Sequence, residues 1–283
     1  MREFEETEER IRQYFYAEEE RFSSRGDESR LEYFREKKAK AEEFFARLAR
    51  HKVFEDGTFR AVVGFGEDGT PRYWEPRKGN LLVSGLASGD LVGQGDSLVL
   101  LSLCRFPESE LNWFYVAREN ARGFFAEDKR CRGSGALWQG NCGEAFASLR
   151  SEIDKRLAMP EDKLEKQPYI IVVFAGIDES LRSYWLQYRK LFSEIFTQGR
   201  KLKTACMLAT GAPLKNPCFY WFGNSFSAYL LGHACDLGGR YLLHEQGNRF
   251  LTENNSVTSG RALYCCGEEE TVVETYRLVL QGL

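Results

Sequence analysis

Residues Gly79 to Val92, GNLLVSGLASGDLV, place a short apolar run before a glycine-flanked turn and a second apolar segment. That order predicts a strand, a loop and the start of a helix. In an α/β domain, a first strand-to-helix turn of this kind cradles phosphate with backbone N–H groups at the helix N-terminus. The phosphate-binding pattern is G-x-x-x-x-G-K-[ST], with the lysine on the β and γ phosphates and the hydroxyl on Mg²⁺. Counted from Gly85, the chain keeps Ser88 and Gly89 within the turn but puts Asp90, Leu91 and Val92 at the last three positions. Leu91 stands where the cation is needed and Val92 where the hydroxyl is needed, while Asp90 sets a like charge against any phosphate.

A second constellation shows the same loss. Tyr169 to Phe174, YIIVVF, is a continuous apolar run of β-branched and aromatic residues, as a parallel strand buried on both faces requires. In nucleotide-hydrolysing enzymes of this class such a strand ends in an Asp for the Mg²⁺ shell and often in a Glu that polarises water. Here the next two residues are Ala175 and Gly176. Asp178 and Glu179 come three residues later than those positions, about 10 Å on at extended-chain rise, and are expected to cap the following helix.

The elements that must position these residues follow from pattern. The chain has 283 residues, enough for one main domain with a smaller appendage, and a net charge of -3 disfavours gripping DNA along a basic face. It contains no apolar run of eighteen residues and is charged from its second residue, so neither a membrane-spanning helix nor a signal peptide is expected within it. The eight cysteines form no C-x-x-C pair and have no zinc-like spacing to histidine, which predicts free buried thiols and no metal.

Residues 1–53 are rich in Glu, Lys and Arg with apolar residues at helical spacing, which predicts two amphipathic helices broken at Ser23 to Asp27. They form a hairpin packed on the main domain, a linker, or a partner-binding coiled coil. Residues 54–283 form the main domain. Phe59 to Trp74 predicts a hairpin turning at Asp68-Gly69. Further strands are expected at 113–116, 204–209, 226–231, 240–243 and 261–265. Helices are expected at 96–103, 144–157, 180–198 and, last, Glu270 to Leu280. Gly123 to Gly143 is glycine-rich and is expected to be an irregular loop, with Arg122, Lys129, Arg130 and Arg132 as a basic cluster. Alternating strands and helices indicate an α/β fold with a mostly parallel sheet covered on both faces.

From about Phe59 onward the chain resembles the motor domain of the FtsK/SpoIIIE family, within the HerA-like group of P-loop ATPases. AVVGFGEDGTPRYWEP with NLLVSG is similar to the family's entry to its phosphate loop. PESELNWFYV is similar to the lead into the next strand, and QPYIIVVF to the strand that carries the acidic residues. GRKLKTACMLATGAP is similar to the sensor strand, and GRALYCCGEEETVVETY to the closing segment. The resemblance implies a RecA/HerA-like sheet. Carried over by position, the loop lysine and hydroxyl fall on Leu91 and Val92, and the Mg²⁺ Asp and the Glu fall on Ala175 and Gly176. The sensor Gln and Arg fall on Gly211 and Ala212, with Thr210 kept, and Asp236 and Arg240 fall where the family supplies an inter-subunit arginine.

The degenerate motifs resemble those of a C-terminal module of type VII secretion motor ATPases of the EssC/EccC kind. That likeness implies a pseudo-ATPase that binds WXG-type secreted substrate tails or regulates neighbouring ATPase modules. It implies a cytoplasmic domain of a larger membrane-anchored protein, with a ring oligomer open to it. On this reading Gly85, Ser88, Gly89, Asp90, Leu91, Val92, Ala175, Gly176, Thr210 and Gly211 line a disarmed nucleotide pocket or a peptide pocket. No cofactor is expected; ATP and Mg²⁺ return only if another cation, with Lys78 nearest in sequence, replaces the missing one. The alternative is an FtsK-like DNA translocase holding ATP, with DNA on the basic loop or on the Arg200 to Lys203 turn; DNA is the less favoured partner.

Overall fold

The computed structural model describes residues 2–26, 28–84, 96–118, 125–137, 139–176, 181–210, 217–232 and 261–275. Two helices, α1 (Arg2–Ser24) and α2 (Glu28–Arg50), are followed by β1 (Ala61–Gly66), β2 (Pro71–Trp74) and β3 (Asn80–Ser84). Next come α3 (Asp96–Leu103), β4 (Leu111–Ala117), β5 (Cys131–Ala136), α4 (Cys142–Leu157) and α5 (Glu161–Leu164). Then follow β6 (Tyr169–Ala175), α6 (Arg182–Gln198), β7 (Thr204–Thr210), α7 (Pro217–Phe222), β8 (Phe226–Leu231), β9 (Arg261–Cys266) and β10 (Glu269–Glu274). Among the described residues no helix is long and apolar enough to cross a membrane.

The strands form one ten-stranded sheet in the order β2-β1-β10-β9-β8-β3-β7-β6-β4-β5. From β8 to β5 every pairing is parallel, and from β8 to β2 every pairing is antiparallel. The parallel strands are buried on both sides, and successive residues alternate between two cores. In β6, Ile171, Val173 and Ala175 join one core while Ile170, Val172 and Phe174 join the other. The first core also takes in α3, whose Leu98, Val99, Leu100 and Leu101 are all fully buried, and the inner faces of α1 and α2. The second is built with α4 and α6 through Phe146, Leu149, Trp185, Phe192 and Phe196. This is the α/β arrangement, helices on both faces of a mostly parallel core, that the alternating pattern predicts.

The N-terminal helices form a hairpin that packs on the sheet. Phe44 meets the Phe65 ring at 5.7 Å between centroids, and the Arg47 guanidinium stacks over the same ring at 4.1 Å and reaches Glu274 at 2.6 Å. Arg10 of α1 pairs with the buried Asp128 at 2.6 Å.

Three expectations are corrected. The stretch 123–143 holds β5, because its glycines serve close packing. A Cβ on Gly133 would stand 3.1 Å from the Phe114 ring, and one on Gly135 would stand 2.7 Å from the Cys142 backbone of α4. The basic cluster in that stretch is no open patch. Arg130 is 1% exposed, lies 5.3 Å over the Trp113 ring and faces Asp128 at 3.3 Å. Lys129 faces Glu6 at 3.5 Å and Arg132 faces Glu108 at 3.7 Å; Arg122 lies outside the described residues. The segment from Glu269 to Glu274 is strand, not the start of a closing helix. Gly267 at φ +63 forms a two-residue turn that pairs β10 with β9, and the β-branched Thr271, Val272 and Val273 suit a pleated surface. The expected strand at 240–243 lies outside the described residues.

Replacing Asp128 by Ala strips the carboxylate from two guanidiniums, one of them buried, and is expected to cost about 3 kcal/mol in urea unfolding. Asp68 closes the β1–β2 turn by accepting from the Thr70 hydroxyl and amide, and these bonds lower its carboxyl from 3.8 to about 2. A lowered folded value gives stability that is present above pH 4 and lost as the pH falls towards 2. NMR titration should show the Thr70 amide shifting in that window, and in Asp68→Asn the shift should be absent.

Candidate functional site

The order of the parallel strands defines where a ligand site would form. From β3 the chain crosses to β4 on one side, and from β7 it crosses to β8 on the other. Between β3 and β7 the connections therefore leave in opposite directions, the switch point at whose C-terminal crevice α/β sheets bind ligands. Ser84 and Thr210 are register partners there, both buried. Among the described residues the Ser84 hydroxyl has no hydrogen-bond partner, although the residue is 2% exposed. On its other side, the Ser84 carbonyl accepts the Gly232 amide at 2.7 Å.

At the neighbouring strand ends, Ala175 closes β6 opposite Ala117 of β4, both fully buried, and the Ala175 carbonyl accepts the Arg118 amide at 3.0 Å. Gly176 follows at φ +68, a left-handed backbone that takes the chain off the strand. A residue with a side chain there is disfavoured by about 1–2 kcal/mol, so this position is occupied by a turn residue and not by an acid. The described ends of β3, β7, β6 and β4 bring two hydroxyls, three small residues and one cation, Arg118, and no carboxylate.

Of the ten residues singled out in the sequence, Ala175, Gly176 and Thr210 are described, and the sheet brings them to one edge. Gly85, Ser88, Gly89, Asp90, Leu91, Val92 and Gly211 lie outside the described residues, as do Asp178, Glu179, Asp236 and Arg240. Sequence reasoning passed over Ser84 and Arg118. Each is the polar residue that ends or follows a buried apolar run, and that was the available signal. Lys78 is placed at the wrong end of the sheet to replace the missing cation. It precedes β3, at the N-terminal edge, where it is exposed and paired with Glu75 at 2.8 Å. The length of β3, about 16 Å at strand rise, separates the two edges.

Five of the described cysteines are poor nucleophiles at neutral pH. Burial pushes the Cys104 and Cys142 thiols up to about 12 and Cys131 up to about 11, and raises Cys206 and Cys218 further, so the nucleophilic thiolate is suppressed. Among the described residues no group of His, Cys, Asp and Glu is arranged to hold a metal ion.

No protein-family model matches the sequence, and no curated protein matches it. Solved structures do match. The cytoplasmic domain of the type VII secretion ATPase EccC from Thermomonospora curvata aligns at a TM-score of 0.58 with 14% identity, over 78% of this chain and 29% of that one. ATPases 2 and 3 of the same organism's EccC, in complex with a signal sequence peptide, align at 0.53 with 14% identity, over 79% of this chain and 41% of that one. The pCW3 conjugation coupling protein TcpA, in a monomer form with ATPγS, aligns at 0.50 with 16% identity, over 80% of this chain and 68% of that one. The fold is thus similar to that of these secretion ATPase and conjugation coupling protein structures. The chain spans less than half the length of the two EccC structures it matches.

Because Ser84 carries a buried hydroxyl without a partner, Ser84→Ala should not destabilise the protein and should raise its stability by about 1 kcal/mol. Equilibrium unfolding measures this; a loss above 1 kcal/mol would mean that the hydroxyl is satisfied in the native state.

Proposed function

We propose that this chain is a non-hydrolysing FtsK/SpoIIIE-like domain of a type VII secretion motor, which binds export substrates or regulates a neighbouring ATPase module. The observation that carries the reading is the end of β6. Buried Ala175 and left-handed Gly176 occupy the positions at which the resemblance expects the Mg²⁺ ligand and the water-polarising acid. Phosphoryl transfer rests almost wholly on positioning and on charge stabilisation by cations and metal, so a domain lacking these groups loses the reaction as a whole. The switch-point crevice remains as a place to bind something else.

By the resemblance, Leu91 and Val92 stand in sequence where a cation and a hydroxyl are expected, and small residues end the described strands beside the switch point. Such a lining suits the apolar anchors of a peptide better than a triphosphate. One EccC structure holds a signal sequence peptide, and by analogy we assign the WXG-type substrate tail as the ligand of this domain, in the cytoplasm beside other modules of a membrane-anchored motor. The DNA-translocase alternative needs an open cationic surface. The buried Arg130 and the ion-paired Lys129 and Arg132 weigh against the 122–132 stretch as that surface.

Calorimetric titration with Mg²⁺ and ATP should give no heat at millimolar nucleotide, while a fluorescent substrate-tail peptide should bind the wild type and be lost in Leu91→Asp. Micromolar ATP binding would overturn the pseudo-ATPase reading. Tail binding untouched by Leu91→Asp would remove the peptide from this crevice.

A further inference from the structure

A cavity of about 840 Å³ lies between α1 and α2, and its described lining residues all belong to the hairpin. Ile11 and Phe15 are buried at its floor, Phe45 is half-buried, and Tyr16 stands on its wall with 70% of its surface exposed. Ala46 and Ala49 line the α2 side and are exposed. Their small side chains leave room for another backbone to approach closely. From Glu8 to Tyr16 the α1 wall runs about 12 Å, roughly two helical turns.

The charges around this groove are not balanced. Arg12 is held by Glu8 at 2.6 Å, and Lys38 is held by Glu19 at 3.2 Å. Both cations of the lining are therefore already paired. Glu42 on the α2 wall has neither hydrogen bond nor ion pair among the described residues, and Glu9 on the α1 wall receives only the Gln13 amide, at 3.0 Å. Among the described residues, one carboxylate on each wall thus makes no ion pair, above an apolar floor.

We infer that this groove docks an amphipathic helix with basic flanks. Apolar residues at i, i+3 or i+4, and i+7 enter between α1 and α2 and complete a three-helix layer, while Lys or Arg beside that stripe meets Glu9 and Glu42. The uncompensated carboxylates disfavour nucleic acid and anionic lipid. This site is separate from the strand-end crevice and does not depend on how that crevice is used, so the ATP and tail-peptide titrations leave it untouched.

The test uses the full chain and a fluorescein-labelled amphipathic helical peptide of about fourteen residues, with a leucine stripe flanked by lysines. The same peptide with glutamates in place of the lysines is the control. Anisotropy should show micromolar binding of the lysine peptide and about tenfold weaker binding of the glutamate peptide, the size expected for two exposed ion pairs turned from attraction to repulsion. In the double variant Glu9→Lys, Glu42→Lys the preference should reverse, and because that variant must still bind one of the peptides, the reversal reports on charge and not on misfolding. Ala46→Trp, which fills the groove, should abolish binding of both, with its melting curve showing that it is folded. Equal binding of the two peptides, no binding of either, or no change in the charge-reversed variant would overturn the proposal. So would concentration-dependent dimerisation in sedimentation equilibrium that Ala46→Trp abolishes, since the occupant would then be a second copy of this chain.

Discussion

Burial of β6 on both faces is the constraint from which the rest of the structure follows. Its side chains alternate between two cores, so helices must cover the sheet above and below, and every strand paired around it must be apolar on both sides. Tyr115, Val116, Met207 and Leu208 of the adjoining strands obey the same rule, and all are buried. With polar groups expelled from the middle of the sheet, chemistry is confined to the strand ends. The reversal of connection direction between β3 and β7 then selects one of those ends as the crevice.

At the switch point the described strand ends carry Ser84, Thr210, Ala175, Gly176 and Arg118, and no carboxylate. A carboxylate at the end of β6 would stand on a strand end that is now fully buried against Ala117, and the next residue is committed to a left-handed turn. These features support one another. A small residue at 175 allows the strand ends to close together, and Gly176 ends the strand with a left-handed backbone. An acid at position 176 would have to adopt this left-handed backbone, at a cost of about 1–2 kcal/mol.

The helical hairpin is joined to this core by a few strong anchors. Phe44 and Arg47 grip Phe65 and Glu274 at the antiparallel side of the sheet, while Arg10 shares the buried Asp128 with Arg130 beneath β4. Arg130 shows why charge runs mislead in a sequence. Its guanidinium is consumed by Asp128, the Trp113 ring and a carbonyl of the Cys104 turn, at 3.3 Å from that oxygen, and it contributes nothing to a surface patch. The outward faces of α1 and α2 are different: Glu19 links the two helices through Arg35 and Lys38, and among the described residues Glu9 and Glu42 make no ion pair over the apolar groove.

Periodicity alone determined most of the elements. The 3.6-residue repeats of α1, α2, α4 and α6 and the continuous apolar runs of β4, β6 and β7 can each be located in the chain, because each reports a face buried by its own local geometry. The identities of Leu91, Val92, Ala175 and Gly176 are equally legible, being matters of residue type at a fixed spacing. Tertiary structure decided what depends on neighbours distant in sequence. Gly133 and Gly135 signal a loop when taken alone and become strand where the Phe114 ring of β4 and the backbone of α4 pack directly on them. Thr271 to Val273 become strand because β1 and β9 offer partners on both sides. Lys78 lies two residues before β3 in the chain, yet the direction of that strand sets it at the opposite edge from the crevice. Spacing along the chain specifies separation, but only the folded sheet assigns each residue to one end or the other.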